Sequence, residues 1–178
     1  MPQDPIRFLI EVYRPGRAQA RGYDRLVVEE GKPAPEFELT SDAGEQIRLS
    51  SLRGKRVVLY FYPKDDTPGC TTQACGIRDA WSEFEATGAV VLGVSPDDEE
   101  SHVQFKQKFG LPFTLLADPD HKVADEYGVW GELHFDGKSV PGVKRSTFVI
   151  NSDGNVAKVM REVNPNLHAA DVLAALGH

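Results

Sequence analysis

Both cysteines of the chain, Cys70 and Cys75, lie in one stretch, PKDDTPGCTTQACG, residues 63–76. Two cysteines fall short of the disulfide framework on which small secreted domains depend. A lone CxxxxC also lacks the four ligands of structural zinc. The histidines, His102, His121, His134, His168 and His178, form no HxxxH or HxH cluster that would complete a metal site. The remaining chemistry is nucleophilic. Pro63, Thr67 and Cys70 make a PxxxTxxC pattern between an apolar run and a helical stretch. A cysteine in the first turn of a helix meets unpartnered N–H groups and the positive end of the helix dipole. Both favour its thiolate. Thr67 lies three residues earlier, where its hydroxyl can reach the sulfur or a bound ligand. Pro63 and Pro68 stiffen the approach and remove competing donors. A free cysteine can also be only a small buried apolar side chain; the proline, threonine and glycine around this one favour a reactive thiol.

The spacing of the two sulfurs poses a problem. Five helical residues place the Cα atoms ~8.6 Å apart and turn the side chains ~140° from each other. A disulfide wants its Cα atoms within ~7 Å. An intact helix therefore keeps the two thiols apart.

The elements that must position these residues follow from pattern. Arg56–Tyr62, RVVLYFY, is a continuous β-branched and aromatic run and reads as a buried central strand. A helix follows over about 69–87, with Ile77, Trp81 and Phe84 at helical spacing and Gly88 as its stop. Ala89–Ser95 is a second buried strand. Ser95-Pro96-Asp97 opens a helix that runs through Phe105 and Phe109 to Gly110. The acids Asp97–Glu100 suit that helix start. Short strands are expected at 35–40, 46–49 and 113–117, a short helix before Tyr127-Gly128, a hairpin over 146–150 and 155–160, and a last helix from about His168 to Leu176. Trp81 and Phe84 read as core, and Trp130 as a packing residue or loop anchor. Asp65 and Asp66 read as solvated acids in a turn. Parallel crossovers ending in an antiparallel hairpin predict an α/β protein with a mixed central sheet flanked by helices. A thioredoxin-like fold fits that order, with an insertion before the hairpin; alternation alone also allows a flavodoxin-like one.

Composition narrows the function. The 178 residues carry a net charge of -7, which argues against a nucleic-acid face or attraction to anionic lipid. No apolar run approaches the ~20 residues of a membrane span. Residues 1–25 differ from the rest, with five arginines and three acids. They read as an N-terminal extension to a domain over 26–178. Ile6, Phe8, Ile10 and Val12 alternate as in a short strand. Ala18-Gln19-Ala20 has the form of a signal-cleavage site, but the apolar patch before it is broken by charges. A cytoplasmic protein is expected.

YPKDDTPGCTTQACGIRD resembles the active-site stretch of the peroxiredoxins. The cysteine five residues on makes it similar to the peroxiredoxin Q subgroup, also called bacterioferritin comigratory proteins. GVSPDDEESHVQFKQKFGLPFTLLADPD, EYGVWGE and RSTFVI fit as well, so the resemblance spans about residues 29–177. It implies a thiol peroxidase on a thioredoxin fold, acting on hydrogen peroxide and organic hydroperoxides without a cofactor. It places Cys70 on the peroxidatic cysteine, Thr67 and Pro63 on the loop, and Cys75 on a resolving cysteine that only some members possess. It places Arg145 on the active-site arginine; position alone would leave Arg145 an ordinary surface charge. Oxidised Cys70 would form a sulfenic acid, then a disulfide with Cys75, reduced by thioredoxin or a glutaredoxin. A monomer, or at most a weak dimer, is expected.

Two competing readings use the same residues. A general disulfide oxidoreductase would carry CxxC at the helix start, which this chain lacks. A redox sensor would use the disulfide as a switch without turnover.

Overall fold

In the computed structural model, residues 28–178 are described; the 6–12 alternation, the 18–20 triplet and the proposed extension over 1–25 lie outside them. The strands are β1 Glu38–Ser41, β2 Gln46–Arg48, β3 Val57–Phe61, β4 Val90–Ser95, β5 Thr114–Ala117, β6 Trp130–Phe135, β7 Lys138–Val143, β8 Ser146–Ile150 and β9 Val156–Arg161. The helices are α1 Pro68–Asp79, α2 Trp81–Thr87, α3 Glu99–Phe109, α4 Lys122–Glu126 and α5 His168–Ala175.

Seven strands form one sheet in the order β2-β1-β5-β4-β3-β8-β9. β3 pairs parallel with β4, and β4 with β5. β8 runs antiparallel to β3, and β1 antiparallel to β5. This is the expected mixed sheet. Every residue of β3 and β8 is buried, because both faces of the sheet are covered. On one face Val57, Leu59 and Phe61 pack with Leu116, Tyr127 and Phe148, and α4 adds Val123 and Ala124. On the other, Val58, Tyr60 and Tyr62 meet Cys70, Ala74 and Ile77 of α1, Phe84 of α2, Phe105 of α3 and Val172 of α5. The strand period of two thus sends alternate β3 residues to opposite cores, and the cysteine helix belongs to the second.

Two expectations need correction. The helix over 69–87 is two helices. The chain leaves helical geometry at Ala80, with φ −99° and ψ 18°, and α2 then turns Phe84 into the core. Strands β6 and β7 were not foreseen. They pair with each other in a separate two-stranded sheet, and Phe135 and Val140 are exposed. Exposure removes the apolar alternation that marks a half-buried strand. The local signal is the turn Asp136-Gly137, where both residues have positive φ, 48° and 72°. That is the Asp-Gly preference of a two-residue hairpin turn.

Candidate active site

β3 ends in a loop, residues 63–67, that delivers the chain to the start of α1. Thr67 is the N-cap residue in extended geometry, and Pro68 occupies the first helical position, where its missing N–H costs nothing. Cys70 is the third helical residue and is 2% exposed. Its sulfur lies 3.4 Å from Nη2 of Arg145, which donates to it. Arg145 immediately precedes β8, the neighbour of β3, so sheet pairing brings residues 75 apart in sequence into contact. Gly69 makes room for that contact. A Cβ there would stand 3.0 Å from Arg145 Nη2.

The other nitrogen of the guanidinium, Nη1, donates to Oε1 of Gln73. Arginine has no acceptor, so this bond fixes the orientation of the amide. Gln73 Nε2 must then donate to Nδ1 of His168, 3.1 Å away. The remaining His168 nitrogen, Nε2, keeps the proton and lies 2.8 Å from Thr147 Oγ1. Gln73, His168 and Thr147 are all buried. Burial, and then the positive charge of Arg145, lower the His168 pKa to about 4, so the ring is neutral, as these bonds require. A chain of partners therefore runs from Cys70 through Arg145, Gln73 and His168 to Thr147 on β8. Sequence reading missed Gln73 and His168. Gln73 stands on the α1 face that also buries Cys70, Ala74 and Ile77, an unusual place for an amide without a partner.

The remaining sites expected from sequence fall as follows. Cys75 lies on the same helix, half-buried, and both cysteines are free thiols. Helix α1 is continuous across 70–76, so the two sulfurs are held apart. Pro63 is half-buried at the head of the loop. The Thr67 hydroxyl donates to the Lys64 carbonyl, 2.9 Å away, and does not cap the helix. As a donor to sulfur or ligand it would have to rotate. Tyr60 lies in the same core as Cys70; its buried hydroxyl has no hydrogen-bond partner among the described residues.

Asp65 corrects a further expectation. It is not solvated but 7% exposed. Its carboxylate accepts from the Tyr62 hydroxyl at 2.6 Å and the Ser101 hydroxyl at 2.8 Å, and stands 2.7 Å from His102 Nδ1. Its backbone N–H donates to Asp97 Oδ2 at 2.8 Å. Asp66 is exposed and paired with Lys108, as an acid in a turn should be. The signal for the Asp65 site was His102, which shares a helix face with Phe105 and Phe109, three and seven residues on. A histidine on a core face needs polar partners.

The arrangement sets the Cys70 sulfur beside a fixed cation at a helix start, and it separates that sulfur from a second thiol. Among the described residues no cluster of potential metal ligands is present.

The model of the AhpC/TSA family matches residues 30–159. The peroxiredoxin Bcp of Bacillus subtilis is 47% identical over 85% of this chain and 96% of its own length. That of Escherichia coli K12 is 46% identical over 80% and 92%. Among solved structures, the Xanthomonas campestris bacterioferritin comigratory protein, described with its alkyl peroxide reduction activity, superposes with a TM-score of 0.74 at 40% identity. The match covers 79% of this chain and 90% of that one. The Cys-to-Ser mutant of Xylella fastidiosa PrxQ reaches a TM-score of 0.79 at 32% identity, covering 84% and 96%. A buried cysteine at a helix start with an arginine on its sulfur, in a chain so similar over most of its length, makes the conclusion direct: the chain belongs to the AhpC/TSA family, in its peroxiredoxin Bcp/Q branch, and is a thiol peroxidase.

Proposed function

We propose that Cys70 is the peroxidatic residue and Cys75 the resolving one. The Cys70 thiolate attacks one oxygen of the peroxide, the O–O bond breaks, and the second oxygen leaves as hydroxide or alkoxide and takes a proton. Cys70 becomes a sulfenic acid. The Cys75 thiol then attacks that sulfur, water leaves, and a disulfide joins the two. An external dithiol, thioredoxin or a glutaredoxin, reduces it by exchange. During attack, negative charge moves from sulfur to the leaving oxygen, and fixed donors that follow it lower the barrier. Arg145 and the backbone N–H of Cys70 serve as those donors, and the Thr67 hydroxyl joins them on rotating away from Lys64. Pro63 stiffens the loop.

The observation that carries this reading is the Arg145 Nη2 contact, 3.4 Å from Cys70 Sγ. The alkyl peroxide reduction of the Xanthomonas campestris relative supports organic hydroperoxides as substrates beside hydrogen peroxide. A net charge of -7 speaks against nucleic acid as a partner, and no described helix is long and apolar enough to cross a membrane. The proposed setting is a cytoplasmic monomer, or at most a weak dimer.

The test is turnover with thioredoxin, its reductase and either peroxide. Wild-type protein should consume many equivalents, and Cys70→Ser none. More than trace activity in Cys70→Ser would remove Cys70 from its role. A single oxidation without turnover would indicate a redox sensor instead.

A further inference from the structure

We propose that His102 is a positioning residue of the peroxidase site: as a buried imidazolium it grips Asp65 and so fixes the 63–67 loop that sets the first turn of α1. This inference rests on Cys70 being the peroxide-reducing thiol.

His102 is wholly buried. Its two nitrogens face a carboxylate oxygen of Asp65 at 2.7 Å and the carbonyl oxygen of Leu116 at 2.9 Å. Both partners are acceptors, so both nitrogens must carry protons, which makes the ring a cation. The other polar groups around it agree. The Tyr62 hydroxyl, 3.5 Å from Nδ1, commits its proton to Asp65. The Ser101 hydroxyl also donates to Asp65. Asp97 adds negative charge, which favours the cation.

The grip has one direction of action. Asp65 sits mid-loop, between the exposed Lys64 and Asp66. Its backbone N–H is held by Asp97, which also accepts from Ser95 at the end of β4. Asp66 then takes a left-handed conformation, φ 56°, and pairs with Lys108 of α3. Thr67, two residues after Asp65, occupies the N-cap position of α1, and Cys70 follows three residues on. The loop is thus fastened to α3 and β4 at Asp65 and Asp66, and α1 inherits its starting point from that fastening. A buried carboxylate without its cation is costly. Loss of the proton from His102 should therefore release Asp65 towards solvent and let the loop drift. His102 acts through Asp65, not on the sulfur.

The experiment measures three quantities in His102→Asn, which keeps one donor but no charge, and in Asp65→Asn. They are the second-order rate of Cys70 oxidation by hydrogen peroxide, its pH profile, and the rate of disulfide reduction by thioredoxin. In wild-type protein the oxidation rate should fall on the alkaline side as His102 loses its proton. Both variants should oxidise about tenfold more slowly at pH 7 and lack that alkaline fall, while thioredoxin reduces their disulfide at the wild-type rate. A general loss of structure would slow both steps. Folded variants with wild-type rate and profile would overturn the proposal. A nitrogen-15 spectrum of the wild-type histidines gives a reading independent of variant folding. Both His102 nitrogens should be protonated at pH 7, and a neutral ring there would overturn it. If Cys70→Ser still consumes peroxide, the reading of Cys70 fails, and the imidazolium stands or falls on the spectrum alone.

Discussion

At Cys70 one guanidinium does two jobs. Arg145 donates through Nη2 to the sulfur and through Nη1 to Gln73, so its reach is set from both ends. Lysine cannot reproduce that planar fork. Arg145→Lys should lower kcat/KM for peroxide by about 10²-fold or more while leaving disulfide reduction by thioredoxin unchanged, as stopped-flow kinetics of the separate steps would show. Gly69→Ala should act more gently. Its Cβ, 3.0 Å from Nη2, displaces the guanidinium by a few tenths of an ångström, and a loss of about tenfold in the oxidation rate is expected. A wild-type rate would mean that Arg145 shifts without consequence. At this scale the sequence is informative where the chemistry is local. PxxxTxxC marks a thiol at a helix start because every part lies within eight residues. It is silent where partners are distant: Asp65 and His102 stand 37 residues apart, and Gln73 and His168 95 apart. Such pairs meet only through the sheet, so Asp65 read as a solvated turn acid.

At the scale of elements, α1 is the gate between the two sulfurs in the proposed cycle. Its first two turns are pinned by Gln73 to Arg145 and His168, and its Gly76 packs near Ala169 of α5. The disulfide of the proposed cycle requires these turns to unwind. Hydrogen exchange should therefore find the 71–76 amides protected in the reduced protein and labile after oxidation with one equivalent of peroxide. Unchanged protection in a protein carrying the Cys70–Cys75 disulfide would refute the opening. Cys75→Ser should leave the first oxidation fast, block the opening, and impair recycling by thioredoxin. The strands that carry the site, β3, β4 and β8, were legible because burial on both faces leaves unbroken apolar runs. The β6–β7 hairpin was not, because an exposed hairpin writes little into its sequence beyond Asp136-Gly137.

At the scale of the whole molecule, two buried histidines oppose each other. His168 has its pKa lowered to about 4 by burial and by Arg145. Its contribution is complete above the unfolded value of about 6.5 and is lost as pH falls towards 4, by up to about 3 kcal/mol. His102 is the reverse. Burial alone would push its pKa down, but the hydrogen bond and charge of Asp65, the Leu116 carbonyl and the charge of Asp97 together outweigh that and raise it. Its contribution is complete below about pH 6.5 and is lost as pH rises through the folded value. Together they place the histidine part of the stability maximum near pH 6.5. Urea titrations from pH 4 to 9 should show His168→Gln flattening the acid slope and His102→Asn the alkaline one. Unaltered slopes would mean that neither ring titrates differently on folding. The mixed sheet itself was legible from the order of runs, since alternating strands and helices leave few topologies.

The buried amide of Gln73 also sets a voltage. Whatever holds α1 wound stabilises the dithiol form over the disulfide, and for a two-electron couple each ~1.4 kcal/mol of such preference raises the reduction potential by ~30 mV. In the proposed cycle, a helix pinned at Gln73 makes the Cys70–Cys75 disulfide a stronger oxidant, one that would give itself up readily to a thioredoxin-type dithiol. Gln73→Ala should make that potential more negative by tens of millivolts. The packing that keeps two sulfurs apart before catalysis would thus also drive their release after it.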